Sequence, residues 1–367
     1  MSYDTEPKVL LLSFEGLVSI TNNFSDEYLI KETSIAKMYK VKISSSQLFV
    51  KEDDKEDGEK DGEEDDKEDD EEDGEKDDKE DDKEDDEKDD KEDDEEDLFD
   101  IVIRRSTNGR QHREMNNDLM LSLYSRHTNI LPILGVFLED DAMHEVIIVT
   151  KYEVNGSLDK HLSDPTTLTW IRRLRICVGV ARAMSYLHYG LKKQSSVIHG
   201  NIQSSRILLD DKWEPKLYGF QYSIVCHRQQ LCLTSKYEGT IQYMDPAYEK
   251  TGGLTLKSDV FSFGVVLFEV LFGRKASIVN EDKWYFAKLA KRHYEETILD
   301  HMIDPVLREQ MDTQSLDIFA KTAYYCLNEQ RAQRLNTHEV VERLEEALDH
   351  QMKYENPVRF ISIYLLC

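Results

Sequence analysis

Apolar and β-branched residues gather in two short segments, Ala36 to Ile43 and Leu98 to Arg105, and both read as strands. The stretch between them, Lys51 to Asp97, contains no apolar residue to bury, so it is expected to be the loop of a long hairpin. Ile147 to Tyr152 is a further apolar strand. Beyond it the period changes. Leu174 to His188 places Ile176, Val180, Ala183 and Leu187 at helical spacing, and Asp259 to Leu271 repeats the pattern with Val260, Phe263, Val266, Leu267 and Val270. The second helix is apolar on most sides and is expected at the centre of the C-terminal half. Strands first and helices afterwards predict an α+β chain.

Charge sharpens this division. The 367 residues hold 75 Asp and Glu against 47 Lys and Arg, a net charge of -28. Lys51 to Asp97 accounts for nearly all of it, with 35 acids, 9 Lys and 3 Gly in 47 residues. The other 320 residues carry 40 acids against 38 bases, enough near-neutral chain for one large domain or two lobes. Attraction to nucleic acid through bulk charge is excluded. The acidic tract is a ragged K-E-D-D repeat stretched by self-repulsion. It reads either as a repeat expanded in a tolerant loop, since closure entropy grows only logarithmically with length, or as a weak binder of Ca²⁺ or of basic peptides.

No run of about 18 apolar residues is present, which predicts no transmembrane segment. Glu15 interrupts the apolar segment Val9 to Ile20, so a secretory signal is not expected. Five scattered cysteines (Cys177, Cys226, Cys232, Cys326 and Cys367) suit reduced thiols in a cytoplasmic setting. The close pair Cys226 and Cys232 reads as free thiols in preference to a metal site.

Val197 to Phe220, VIHGNIQSSRILLDDKWEPKLYGF, resembles the catalytic loop and metal-binding turn of protein kinases, H-R-D-L-x-x-x-N followed by D-F-G. GTIQYMDPAY at Gly239 to Tyr248 and KSDVFSFGVVLFE at Lys257 to Glu269 follow in the family's order. With TNNF at Thr21 to Phe24, NGSL at Asn155 to Leu158 and IDP at Ile303 to Pro305, the chain resembles the plant receptor-like kinase family over about residues 20 to 350. The resemblance implies a two-lobed kinase fold with a small β-rich N-lobe and a large helical C-lobe. It divides the chain into an N-terminal extension at 1–24, an N-lobe at 25–150 interrupted by the insert at 51–97, a C-lobe at 151–350 and a tail at 351–367. The apolar end, Phe360 to Cys367, is left open between a packed strand, a frayed tail and a truncation scar.

Against the family pattern, the chemistry-bearing positions are changed. Lys31, Thr33 and Ala36 stand where three loop glycines would cover the phosphates. Arg104 replaces the strand lysine and Val102 the small residue over the adenine. The helix glutamate falls on Asp118 or Asn117, depending on how the segment is matched. In the catalytic loop the family's Arg, Asp, Lys and Asn fall on Gly200, Asn201, Gln203 and Arg206. Gly219, Phe220 and Gln221 occupy D-F-G. An amide at 201 is a negligible base, and a general base alone contributes roughly 10² to 10⁴ in rate. A fixed cation at 206 opposes a second metal ion. These departures predict no catalytic residues, no Mg²⁺ site and at most weak ATP binding, in a residual pocket of Val102, Arg104, Thr150, Tyr152 and Leu208.

Scaffold positions are kept: His199 and Phe220 in the internal apolar column, Asp259 capping the loop, Gly264 for close helix approach, Leu208 as adenine floor, Thr150 as gatekeeper and Lys151 to Glu153 as hinge. One contact is expected to be lost, because Arg334 would pair with the Glu of A-P-E and Ala247 stands there. That predicts an arginine needing another partner and a looser activation segment. Gly200 cannot receive a phosphate placed on Thr234, Ser235 or Tyr237. The expected function is a pseudokinase, a scaffold or allosteric partner of receptor-like kinases or their substrates, cytoplasmic or at the cytoplasmic face of the plasma membrane. The alternatives are a weakly active ATP-binding Ser/Thr kinase, with Lys31 or Lys37 near the phosphates, and a tract-based binder of Ca²⁺ or basic partners.

Overall fold

The computed structural model describes residues 13–33, 36–44, 98–106, 127–138, 146–191, 195–227, 231–233, 239–276 and 285–356. The acidic tract 51–97, Asn117, Asp118, Thr234, Ser235, Tyr237 and Phe360 to Cys367 lie outside the described residues. The described part opens with helix α1 (Phe14–Ile20), capped by Ser13, whose Oγ accepts from Gly16 N at 3.1 Å. Its end is fixed by Thr21: the hydroxyl donates to Leu17 O (2.7 Å) and accepts from Phe24 N (3.0 Å). Asn22, Asn23 and Phe24 all take positive φ, 46°, 57° and 53°. Asparagine tolerates this region, whereas the Phe24 ring is held there by burial against Tyr39, 5.4 Å between centroids.

Strands β1 (Leu29–Glu32), β2 (Ala36–Ser44), β3 (Leu98–Ser106), β4 (Ile133–Leu138) and β5 (Val146–Lys151) form one sheet in the order β1-β2-β3-β5-β4. β2 and β3 are antiparallel partners with Ser44 opposite Leu98, so the insert joins adjacent strands as its flanks predict. Alternation puts Tyr39, Val41, Ile43, Ile101 and Ile103 on one face, where they pack with Ile147, Val149, Leu17 and Phe24 into the N-lobe core. Leu17 is fully buried, so the chain from Phe14 on is part of this lobe and not of a separate extension. The opposite face carries Met38, Lys40, Val102, Arg104, Ile148 and Thr150.

The C-lobe is built from β6 (Gly156–Ser157), α2 (Trp170–Ser185), β7 (Ser195–Ile198), β8 (Ile207–Leu209), β9 (Pro215–Leu217), β10 (Ile224–His227) and β11 (Cys232–Leu233). α3 (Pro246–Thr251), β12 (Gly253–Leu254), α4 (Leu256–Phe272), α5 (Tyr285–Glu295), α6 (Pro305–Glu309), α7 (Thr313–Cys326) and α8 (Thr337–Glu355) complete it. Every residue of α4 from Ser258 to Phe272 is buried, which places this helix at the centre. A Cβ on Gly264 would lie 2.7 Å from Cys326 Cβ, so the glycine sets how closely α4 and α7 approach. α8 continues to Glu355, and buried Gln351 donates to Gln310 O at 2.7 Å, so the lobe runs past the expected boundary at 350.

α2 begins at Trp170, four residues before its apolar period. The reason is Arg173, a buried guanidinium that donates to Leu168 O, Val270 O and Leu162 O, each at 2.7 Å. It ties the start of α2 to the end of α4, and burial pushes its pKa down to about 10. The lobes meet where Leu217 N donates to Asn129 O (2.8 Å) and Leu131 N to Leu217 O (3.0 Å). Among the described residues no helix is long and apolar enough to cross a membrane.

Candidate functional site

The loop after β7 is positioned by one carboxylate from the first turn of α4. Asp259 Oδ2 accepts from His199 N at 2.7 Å, Oδ1 accepts from Gly200 N at 2.9 Å, and His188 Nε2 lies 3.1 Å from Oδ2. The His199 ring packs on Phe220 with centroids 4.9 Å apart. Asp259, His199 and Phe220 thus occupy the scaffold places that the sequence suggests.

Gly200 has φ +75°, and a Cβ there would lie 2.7 Å from the carbonyl oxygen of Tyr222. The obstacle is backbone, so it cannot swing away, and the loop as built requires glycine at this position. Gly200→Ala is expected to cost about 2 kcal/mol or more, from left-handed strain plus overlap. Thermal denaturation of the variant beside wild type checks this, and an unchanged Tm would contradict the loop geometry.

The next residues form a chain of neutral amides. Asn201 Oδ1 accepts from Gln203 Nε2 (3.0 Å) and from Thr240 N (3.1 Å). Gln203 Nε2 also donates to Thr240 Oγ1 at 2.7 Å, and its Oε1 accepts from Ser205 Oγ at 3.0 Å. Both side chains are buried, and both amide oxygens and Gln203 Nε2 find their partners within the protein. Neither can take up a proton near neutral pH, so the pair binds the loop to the segment at Thr240 and offers no base.

Gly219, after β9, has φ +88°. A Cβ there would meet Arg206 at 2.7 Å from Nη1 and 2.8 Å from Cδ. The guanidinium therefore fills the space that an aspartate at 219 would use. It is held by Gln221, whose amide, turned so that its oxygen faces Arg206, accepts from Nη2 at 2.5 Å and donates to Gly219 O at 3.2 Å. The Tyr218 ring lies 5.5 Å from the guanidinium carbon. Gln221 is the partner that sequence reading leaves without a role.

Of the residues of the expected nucleotide pocket, Val102, Arg104 and Thr150 share one face of the N-lobe sheet. Val102 stands directly opposite both Lys40 and Thr150, and Arg104 opposite Met38 and Ile148. Lys40 Nζ sits 3.8 Å over the Tyr152 ring and 2.9 Å from Asp100 Oδ2. Leu208, on β8, pairs with Ser157 and Lys216. Thr33 closes the β1–β2 turn: its hydroxyl donates to Ala36 O (2.9 Å) and accepts from Ala36 N (3.0 Å). Lys37 lies 3.7 Å from Glu32.

The segment from Gly239 onward corrects one expectation. Arg334 is fully buried, and its Nη2 donates to Asp245 Oδ1 at 2.7 Å. Arg331 Nε donates to Asp245 Oδ2 at 2.8 Å, and Ser258 Oγ reaches the same oxygen at 2.9 Å. Arg334 thus keeps a carboxylate partner, and the segment is pinned at this point. The physical reason is that Asp245, N-cap of α3, reaches from two residues upstream what the lost glutamate at 247 would have reached. Tyr243 adds a second anchor, donating to Glu269 Oε1 at 2.7 Å, while burial raises the Glu269 carboxyl to about 7.

Comparison with known proteins agrees with this layout. A family model described as protein tyrosine and serine/threonine kinase matches residues 88–344. Strands β1 and β2 precede that match, yet the sheet joins β1 to β2 and β2 to β3. A probable receptor-like protein kinase of Arabidopsis thaliana is 33% identical over 257 residues, 68% of this chain and 30% of that protein. The receptor-like protein kinase FERONIA of the same plant is 33% identical over 250 residues, 66% of this chain and 27% of its own length. The nodulation receptor kinase of Pisum sativum is 34% identical over 255 residues, covering 68% and 27%. The chain thus spans under a third of the length of these relatives. Two lobes, an aspartate-capped loop and a match across most of the C-lobe converge on one assignment: the chain belongs to the protein tyrosine and serine/threonine kinase family and is similar to plant receptor-like kinases.

Proposed function

We propose that this chain is a pseudokinase, a kinase fold that acts by binding proteins and does not transfer phosphate. The observation that carries the reading is the pair of replacements at the reaction centre: an amide network at Asn201 and Gln203 where a base would stand, and a guanidinium in the volume of the metal-binding carboxylate. The Mg²⁺ that phosphoryl transfer in this family uses does not fit these residues. Position 219 offers no side chain, and Arg206 puts positive charge where a cation would sit. In contrast, the buried contacts that hold the C-lobe scaffold, Asp259 to the loop and Asp245 to Arg334, are intact. A fold kept without its chemistry is suited to act by binding a partner and shifting its populations.

The partners we assign are receptor-like kinases or their substrates, met at the cytoplasmic face of the plasma membrane. In a phosphotransfer assay with labelled ATP, Mg²⁺ or Mn²⁺ and a generic peptide, the expected result is incorporation at background. Transfer above background that disappears in Arg104→Ala would overturn the reading and favour a weakly active kinase. Pull-down of purified receptor-like kinase domains, with the full chain and with residues 51–97 deleted, separates the kinase-fold surface from the acidic tract. Binding that survives deletion assigns it to the fold; binding that vanishes assigns it to the tract.

A further inference from the structure

Cys226 and Cys232 stand on two different strands of the segment that follows the Gly219 turn. On β10, Cys226 lies opposite Ser196 of β7; on β11, Cys232 lies opposite Leu254 of β12. Strand alternation turns both side chains inward. Their neighbours Val225, Leu231 and Leu233 point outward and are 62%, 48% and 75% exposed, whereas both cysteines pack on one cluster of Ile198, Tyr248 and Leu254. Each strand pair is held from a second side. Ser196 Oγ donates to His188 O at 2.6 Å, and the Leu231 side chain sits directly on Gly253, where a Cβ would lie 2.5 Å from Leu231 Cδ1. The two half-buried thiols thus arrive from separate strands at one place, within hydrogen-bonding reach of each other.

Among the described residues no group of three His, Cys, Asp or Glu is placed to hold a metal ion, so the pair is not half of such a site. The other described cysteines, Cys177 and Cys326, are fully buried on separate helices. Two Cys side chains directed into one cluster meet the directional requirement for a disulfide, which fails where the Cβ vectors diverge. We propose that Cys226 and Cys232 are a peroxide-oxidisable pair that closes a disulfide between β10 and β11. Burial, followed by the hydrogen bond and charge of the Cys232 sulfur, pushes the Cys226 thiol up to about 12, which assigns Cys226 to the second step. In the first, the Cys232 sulfur attacks one oxygen of hydrogen peroxide, the O–O bond breaks, and a sulfenic acid and one water result. In the second, the Cys226 sulfur attacks that of the sulfenic acid; the S–S bond forms, the S–O bond breaks, and hydroxide leaves with the Cys226 proton as a second water. Two thiols are oxidised and one peroxide is reduced. The product joins the strand paired with β7 to the strand paired with β12, and thiol reductants reverse it.

The test is peptide mapping of the full chain, treated when folded with stoichiometric hydrogen peroxide, alkylated to block remaining thiols and digested without reductant. Trypsin cuts after Lys216, Arg228 and Lys236, which puts the two cysteines on separate peptides, 217–228 and 229–236. The expected result is that mass spectrometry finds these peptides joined through sulfur after peroxide and separate after dithiothreitol, while Cys177 and Cys326 stay reduced. Cys226→Ser and Cys232→Ser are each expected to lose the joined species, and in Cys226→Ser the sulfenic acid on Cys232 is expected to persist and to react with dimedone. Peptides that remain separate and alkylated after peroxide would overturn the proposal. So would sulfinic acid on either cysteine without the link, or a link from Cys226 or Cys232 to a different cysteine in place of this one. The wild-type map decides the bond even if a serine variant fails to fold. None of these outcomes involves phosphate transfer, so the inference stands or falls independently of the pseudokinase reading.

Discussion

Asp245→Ala is expected to destabilise the protein by about 3–5 kcal/mol, the range found when one partner of a buried ion pair is removed and its charge is left behind. Both Asp245 and Arg334 are buried, and Arg331 and Ser258 depend on the same carboxylate, so several polar groups would lose their partner at once. Denaturant unfolding of Asp245→Ala, Arg334→Ala and the double variant gives the coupling directly. A coupling near zero would show that the pair is incidental to stability. The pH dependence has a definite sign. Burial works to raise the pKa of Asp245, but the hydrogen bond and charge of Arg334, the charge of Arg331 and the Ala247 N–H outweigh it and leave the group below the ordinary aspartate value. A carboxyl more acidic folded than unfolded contributes fully above its unfolded value of about 4 and loses that contribution as pH falls through the folded value. The wild-type acid limb below about pH 4 should therefore be steeper than that of Asp245→Asn.

Arg173→Met is expected to cost about 3 kcal/mol or more. Its aliphatic chain would refill much of the volume, but three buried carbonyls, Leu162 O, Leu168 O and Val270 O, would lose their donor. Each such orphan costs roughly 1–3 kcal/mol, reduced where water or relaxation reaches it. Calorimetric unfolding decides the matter, and a Tm within a degree of wild type would show that water replaces the guanidinium at no loss.

The long elements were legible because their signal is periodic. α4 announces itself through Val260, Phe263, Val266 and Leu267, and the structure extends it only to Leu256 and Phe272. The strands flanking the insert were placed to within a residue, since β-branched runs bounded by charge leave few alternatives. The start of α2 was not legible: a helix whose first turn contains a buried arginine reads as polar, and the carbonyls that satisfy Arg173 include Val270, 97 positions away. Arg334 misled for a related reason. Motif spacing points to position 247, whereas a carboxylate at 245, pinned as a helix cap, covers the same arginine. At the reaction centre each substitution was visible singly, but that Arg206 physically fills the space above Gly219 depends on two backbone traces meeting, which no spacing encodes.

That meeting of traces couples two positions 13 residues apart. With Gly219→Asp the new carboxylate would arrive against the Arg206 guanidinium, and a charge-assisted hydrogen bond would draw the two together, so the positions are expected to respond to substitution as a unit and not singly.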